Sequence, residues 1–349
     1  MKQKSRLLLT FMFVMLFCLS GVSLSAVSSI NNNLLIVRSG DAPAYLAVES
    51  SFRAGISQYL EKLVSIKSLS VSDSSDRKKL DVFFSVNKQK QFDLVITVGA
   101  QATHDVLNLA PDSPVLSIFI PRQTYHAIVD QAPYAGLDVS RSSIYLDQPD
   151  ERLILLSKSI ARTGAKVSLF GSSDVGRALK TRTCDGVDLS YLMGNVSRYP
   201  ELLSSNYLKR TLKHSDILIA TAKLVKQSPN AIKWMLYMAY QRNVPVIGYS
   251  RAFVDAGAIA AVYSSPENIG RQAAEVFLLQ RQQAGNKLPA SVYPAYFQVS
   301  VNQNVAEALG FQHLNEDFLR KTLVESALNC RERYVPVPAN GVKQQVSRR

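Results

Sequence analysis

YQRNVPVIGYSRAFVDAGAIAAVYSSPENIGRQAAEVFLLQRQQAGNKLPASVYPAYFQVSVNQNVAEALGF, residues 240–311, decides the fold of this 349-residue chain. The apolar run 244–249 (VPVIGY) reads as a strand and is followed by a loop and a second apolar stretch. Ser265 and Pro266 then start a helix, serine as the cap and proline at the first helical position. Ile269, Ala273, Val276 and Phe277 recur at helical spacing and form its buried stripe, which ends before Gly285. A strand over 292–301 and a helical tail over 316–329 complete the series.

The same alternation runs through the rest of the chain. A strand at 34–37 (LLIV) leads through a loop into a helix with Val48, Phe52, Ile56, Tyr59 and Leu63 on one stripe. Residues 82–84 (VFF) read as a second strand, and 93–98 (DLVITV) as a stronger one, of the kind buried on both faces of a parallel sheet. A helix opens at 99–102, and 114–120 (PVLSIFI) is the next strand. From about residue 145 a second series begins. It comprises a helix over 150–163, strands at 166–170 and 216–220, and a helix started by Ser228 and Pro229. Ile232, residues 234–236, Ala239 and Tyr240 supply the apolar side of that last helix, which makes Trp234 a core residue. Strands separated by helices imply right-handed crossovers and doubly wound α/β sheets. The chain exceeds one ordinary core, so two lobes are expected.

Compartment follows from the first residues. Lys2, Lys4 and Arg6 precede an apolar run at 7–19 that ends before Ser23, Ser25 and Ala26, the layout of a secretory signal peptide spanning 1–26. The run has the length of a signal core rather than the roughly 20 residues of a spanning helix. A lipid on Cys18 is set aside because Phe17, not a small residue, precedes it. Cys184 and Cys330 remain, with no CxxC or metal-ligand spacing; two separate thiols or one disulfide both fit the sequence. Residues 331–349 lack periodicity and read as a loose tail.

Hydrophobic residues at 47% and charged residues at 19% place the chain among globular proteins. The net charge of +13 is dispersed and accompanies no nucleic-acid-binding motif, so a basic solvated surface is the main reading, and attraction to an anionic ligand or membrane face the lesser. His104, His126, His214 and His313 are scattered. No HExxH, zinc-spaced His/Cys cluster, GxSxG elbow or phosphate loop is present, which gives no support to an enzyme, a metal or a cofactor.

Residues 244–248, 256–261, 269–274 and 302–310, in that order and spacing, resemble the ABC-transporter substrate-binding proteins of the tryptophan/tyrosine-type group. Residues 93–102 and 114–120 match the same family's first lobe. The resemblance implies the type I periplasmic-binding fold: two Rossmann-like lobes joined by a multi-crossover hinge. It places residues 29–140 plus 258–288 in the N-terminal lobe and 141–257 plus 289–330 in the C-terminal lobe. It implies a periplasmic monomer that captures a small-molecule ligand between its lobes and hands it to an inner-membrane ABC permease. A periplasmic sensory protein docking on a membrane receptor uses the same fold. The chain departs from the family pattern at 100–102, 121–123 and 143–149, so the ligand is not carried over.

In such sheets ligands lie outside the strand carboxyl ends, where helix N-termini present backbone N–H groups. The ligand-binding candidates are Ser39, Asp41, Gly99, Ala100, Gln101 and Arg122 in the first lobe. Ser172, Ser173, Thr221, Ser250 and Arg251 are those of the second. Gly99 and Ala100 would admit a carboxylate or phosphate to a helix start, and Arg122 and Arg251 would grip an acidic group from opposite lobes. Tyr45, Tyr125 and Tyr249 offer stacking surfaces or, more simply, packing.

Overall fold

Buried β-branched runs and the helices between them form two sheets in a computed structural model. It describes residues 32–60, 64–86, 92–109, 112–133, 140–162, 164–170, 180–182, 188–194, 206–221, 229–282, 287–311 and 314–329. The N-terminal run, Ser172, Ser173, Cys184 and Cys330 lie outside the described residues.

The first half runs β1 (Asn32–Arg38), α1 (Pro43–Leu60), β2 (Val64–Ser70), α2 (Ser74–Val86), β3 (Leu94–Val98), α3 (Ala100–Asn108), β4 (Val115–Ile120), α4 (Arg122–Gln131) and β5 (Arg141–Tyr145). Its five strands are parallel, in the order β2-β1-β3-β4-β5. The second half runs α5 (Asp150–Ile160), β6 (Val167–Phe170), β7 (Lys180–Arg182), β8 (Asp188–Gly194), α6 (Asn206–Lys213), β9 (Ile217–Ala220), α7 (Pro229–Tyr240), β10 (Val246–Gly248), α8 (Arg251–Asp255) and β11 (Ala260–Tyr263). After α9 (Pro266–Gln282) come β12 (Gln298–Val301), α10 (Gln303–Ala308) and α11 (Glu316–Asn329). The second sheet has the order β12-β11-β10-β9-β6-β8-β7, antiparallel only at its two edges.

Helices cover both faces, so the central strands bury both sets of side chains. All five residues of β3 are buried. Leu34 and Ile36 of β1 pack under α1 and α9 with Phe52 and Phe277, whereas Leu35 and Val37 face Val106 and Leu107 of α3. In the second sheet, α5 and α11 cover one face and α6, α7 and α8 the other.

The chain crosses between the halves three times, at 146–149, at 264–265 and at 287–297. Residues from 258, expected with the first lobe, divide: β11 pairs with β10 and β12 in the second sheet, and the return begins only at α9. The strand expected over 292–301 shrinks to β12. Val292 instead makes an isolated bridge to Ile144 of the first sheet, and Pro294 lies in the crossing between the two.

Two local expectations are corrected. Residues 82–84 belong to α2, where Leu80 is buried and Phe83 stacks on Phe92 with ring centroids 6.0 Å apart. The second strand is β2, a half-exposed edge strand with few apolar residues, which is why its period was weak in the sequence. Trp234 is 46% exposed rather than core, and Tyr240 is exposed with it. Helical rotation that buries Met235, Leu236 and Ala239 turns Trp234, Tyr237 and Tyr240 outward.

Helices α1 and α9 approach closely through two glycines. A β-carbon on Gly55 would lie 2.7 Å from that of Ala274, and one on Gly270 would run into the carbonyl of Val48 and come within 2.9 Å of the Ser51 β-carbon. Backbone cannot yield as a side chain can, so Gly270→Ala should cost about 2–3 kcal/mol. Urea unfolding of the variant should show a lower midpoint with an unchanged slope.

Candidate functional site

Strand order marks a candidate region before any side chain does. The chain leaves β1 toward β2 on one side and later adds β3 on the other, so the β1/β3 boundary is a topological switch point; β6, flanked by β8 and β9, makes a second. Ligands in open α/β sheets bind outside the carboxyl ends at such points. Ser39 follows β1, Gly99 follows β3 and Thr221 follows β9, so three of the expected residues stand at these boundaries.

Ser39, Gly99 and Ala100 come together. Gly99 is the residue before α3 and has φ 90°, a backbone open chiefly to glycine; a β-carbon there would meet Ser39 Oγ at 2.7 Å and the Tyr45 ring at 3.0 Å. Having no side chain, Gly99 cannot cap its helix. Ser39 Oγ does so from the neighbouring strand, accepting from the Ala102 N–H at 2.9 Å. Below, Thr103 Oγ1 donates to the Gly99 carbonyl at 2.8 Å, and the Thr97 hydroxyl bonds Thr103 and Ser117 in a buried chain that fixes the helix start.

Tyr45, an expected stacking residue, stands beside this turn and meets Phe119 edge to face at 6.0 Å. Phe119 is the residue that the sequence did not reveal. It occupies a register shift between Ile118 and Ile120 of β4 and has φ 56°, rare for an aromatic residue. Nothing in the run 114–120 distinguishes it from its strand neighbours.

The other first-lobe candidates are engaged locally. Asp41 accepts from Arg38 at 2.6 Å, and Gln101 turns along α3 to donate to Asp105 at 2.7 Å. Arg122 lies near Tyr293, its Nη1 3.3 Å from the hydroxyl, and its backbone N–H is held by the Asp147 carboxylate. Tyr125 is buried at 4% exposure and packs on Tyr145, so it belongs to the core.

Beneath this edge, Glu49 of α1 gathers Arg38, Arg53 and Ser68. Burial alone would raise the Glu49 carboxyl; hydrogen bonds from Ser68, Arg53 and Arg38 outweigh it and hold the group below its ordinary value.

In the second lobe Thr221 is buried and its hydroxyl donates to the Phe170 carbonyl at 3.3 Å, a structural bond. Ser250 caps α8, accepting from the Phe253 N–H at 3.4 Å. Arg251 pairs with Asp255 at 3.0 Å and reaches Ser300 at 3.4 Å, so the expected grip of Arg122 and Arg251 on one acidic group begins from arginines already partnered. Burial pushes the Tyr249 hydroxyl up to about 12, which keeps it protonated and able to donate. An open cavity of about 850 Å³ lies at the opposite, amino-terminal end of the second sheet, away from these residues.

The crossings carry a buried polar cluster. Arg152 of α5 is 5% exposed; it donates to the Gln148 side chain and to the Pro294 carbonyl at 3.0 Å, with its guanidinium 4.2 Å from the Phe297 ring. Gln148 donates to Ser264 Oγ at 2.9 Å, and Ser264 to the Tyr296 carbonyl at 2.5 Å. One network thus touches all three crossings.

No protein-family model matches the chain, and no curated protein matches it. Solved structures do. A ligand-free, open substrate-binding protein with adhesive properties from Clostridium difficile superposes with a TM-score of 0.58 at 16% identity, over 82% of this chain and 97% of that one. A XylFII–LytSN complex matches with a TM-score of 0.50 at 11% identity, over 79% of this chain and 99% of that one. A domain in complex with L-Trp from Streptococcus pneumoniae matches with a TM-score of 0.48 at 15% identity, over 80% and 95%. The chain therefore shares the fold of that substrate-binding protein, two largely parallel α/β halves linked by three crossings.

Removing the Ser39 hydroxyl should cost about 1 kcal/mol, the loss of a helix cap, read as a lower urea midpoint. Glu49→Gln should cost about 3 kcal/mol at pH 7 by leaving Arg38 poorly matched. Because the folded-state value of Glu49 is depressed, its stabilisation is complete above the unfolded value near about 4.3 and fades as pH falls through the folded one. Wild type and variant should converge in stability as acid is added.

Proposed function

We propose that the chain is an exported solute-binding protein that captures a small molecule between its two halves and delivers it to an ABC importer. The N-terminal half comprises β1 to β5, ending at Tyr145, with α9; the C-terminal half comprises residues 150–263 with β12 and the helices after it. The protein acts as a monomer in the periplasm, without cofactor and without catalysis. The observation that carries this reading is the glycine turn at Gly99, at the switch point of the first sheet, flanked by Ser39, Tyr45 and the strained Phe119.

Tyr45 and Phe119 supply an apolar wall, and the start of α3 supplies backbone polarity for an anionic or strongly polar end of the ligand. Tyr249 and the loop after β10, at the carboxyl end of a second-sheet strand, are the contribution we assign to the second half. Ser172 and Ser173 complete that side by sequence position alone. Closure is a hinge motion about the three crossings, driven by contacts that the ligand makes with both halves only when they are shut.

A thermal-shift screen of amino acids, peptides, nucleosides and organic acids tests the reading. The cognate compound should stabilise the protein by about 2.7 kcal/mol at a hundredfold excess over its Kd. Tyr45→Ala should weaken that compound at least about tenfold, the scale of one lost aromatic contact, without lowering the unliganded midpoint comparably. A broad screen with no shift would remove the proposal's foundation.

A further inference from the structure

Helix α7 carries an exposed aromatic stripe that the ligand reading does not use. Trp234, Tyr237 and Tyr240 are 46%, 54% and 44% exposed, and the rings of Trp234 and Tyr237 lie side by side, tilted by 31° with centroids 5.8 Å apart. At about 100° per residue, Asn230, Lys233, Trp234, Tyr237, Tyr240 and Gln241 share roughly 120° of the helix surface. That arc contains no carboxylate.

The stripe runs toward the pole where α6 and α7 end together. There the open cavity of about 850 Å³ is lined by Lys209, Arg210, Lys213 and Arg242, against one carboxylate, Asp216. Asp216 already accepts from the Lys166 backbone at 2.7 Å. A basic residue in the last turn of a helix complements its dipole, which accounts for any one of these cations singly. Four around one concavity, beside an aromatic face, exceed that need.

We propose that this face docks on an anionic phospholipid surface. Trp and Tyr have apolar bodies and polar tips suited to the headgroup level, and clustered Lys and Arg meet anionic headgroups. Charge decides the occupant. Two copies of this face in contact would set four cations against four, which disfavours self-association. No described helix is long and apolar enough to cross a membrane, so the contact is peripheral. The inference stands apart from the ligand proposal, since neither Ser39 nor Gly99 takes part.

Trp234 is the chain's one tryptophan, so its emission reports on this face alone. The test uses the protein as its host processes it, mixed with phosphatidylcholine vesicles with and without phosphatidylglycerol. Expected are a blue shift and co-sedimentation with the anionic vesicles only, both reversed by high salt. Lys209→Glu with Lys213→Glu should weaken partition by at least about fivefold per cation. Trp234→Ala with Tyr237→Ala should also weaken it, and thermal unfolding should confirm that each variant is folded. Unchanged emission with anionic vesicles overturns the proposal, as does undiminished binding by the folded variants. A shift that follows protein concentration without vesicles would assign the face to a second copy instead. A shift with single-stranded nucleic acid but not vesicles would assign it to that polymer. Either result would also overturn the proposal.

Discussion

A guanidinium buried where three chain crossings meet is the constraint around which the two halves are arranged. Taking Arg152 out of water costs several kcal/mol unless its N–H groups are satisfied. Its partners come from separate crossings: Gln148 from the first and Pro294 from the third, with Ser264 of the second tied to Gln148. Each partner is satisfied only while the others keep their places, so the crossings are held as a unit. The halves are thus joined by one shared hydrogen-bond network as well as by three separate stretches of chain.

The turns of the first half lie at the same end of its strands, the carboxyl end from which the first crossing leaves. A left-handed backbone at Phe119 costs about 1–2 kcal/mol and persists because both neighbours are pinned. The Ile118 carbonyl accepts from Gly99 at 3.0 Å, and the Ile120 carbonyl from Leu146 at 2.9 Å. The chain between them must therefore bulge, and the bulge brings the aromatic ring against Tyr45. The strained residue thus stands beside a glycine turn at a topological switch point. The same turn shows economy of parts: Ser39 both ends β1 and caps α3, so strand and helix are set in register by one hydroxyl.

Most of the fold was legible because burial on both faces writes itself as unbroken apolar runs. Residues 94–98 and 217–220 could scarcely have been anything but central strands, and the helical spacing of Ile269, Ala273, Val276 and Phe277 was enough to place α9. The failures lie where burial is partial. Edge strand β2 needs few apolar residues, so the pair Phe83 and Phe84 took its place in the reading. On α7, aromatic residues occupy the solvent side as well as the core side, and composition alone could not tell Trp234 from Met235.

Site residues divide along the same line. Helix starts at strand ends are fixed by chain order, and so the sequence by itself placed the candidates Ser39, Gly99 and Ala100 just after β1 and β3, together with the alternation of strands and helices. Which side chains are already partnered depends on distances between segments far apart in the chain, and only the tertiary structure decided those. It spent Gln101 on Asp105, Arg251 on Asp255 and the Thr221 hydroxyl on a carbonyl, placed Phe119 at a bulge, and joined Gln148 to Ser264 across 116 positions. Local periodicity carries information about burial within one element; it carries none about what packs against it.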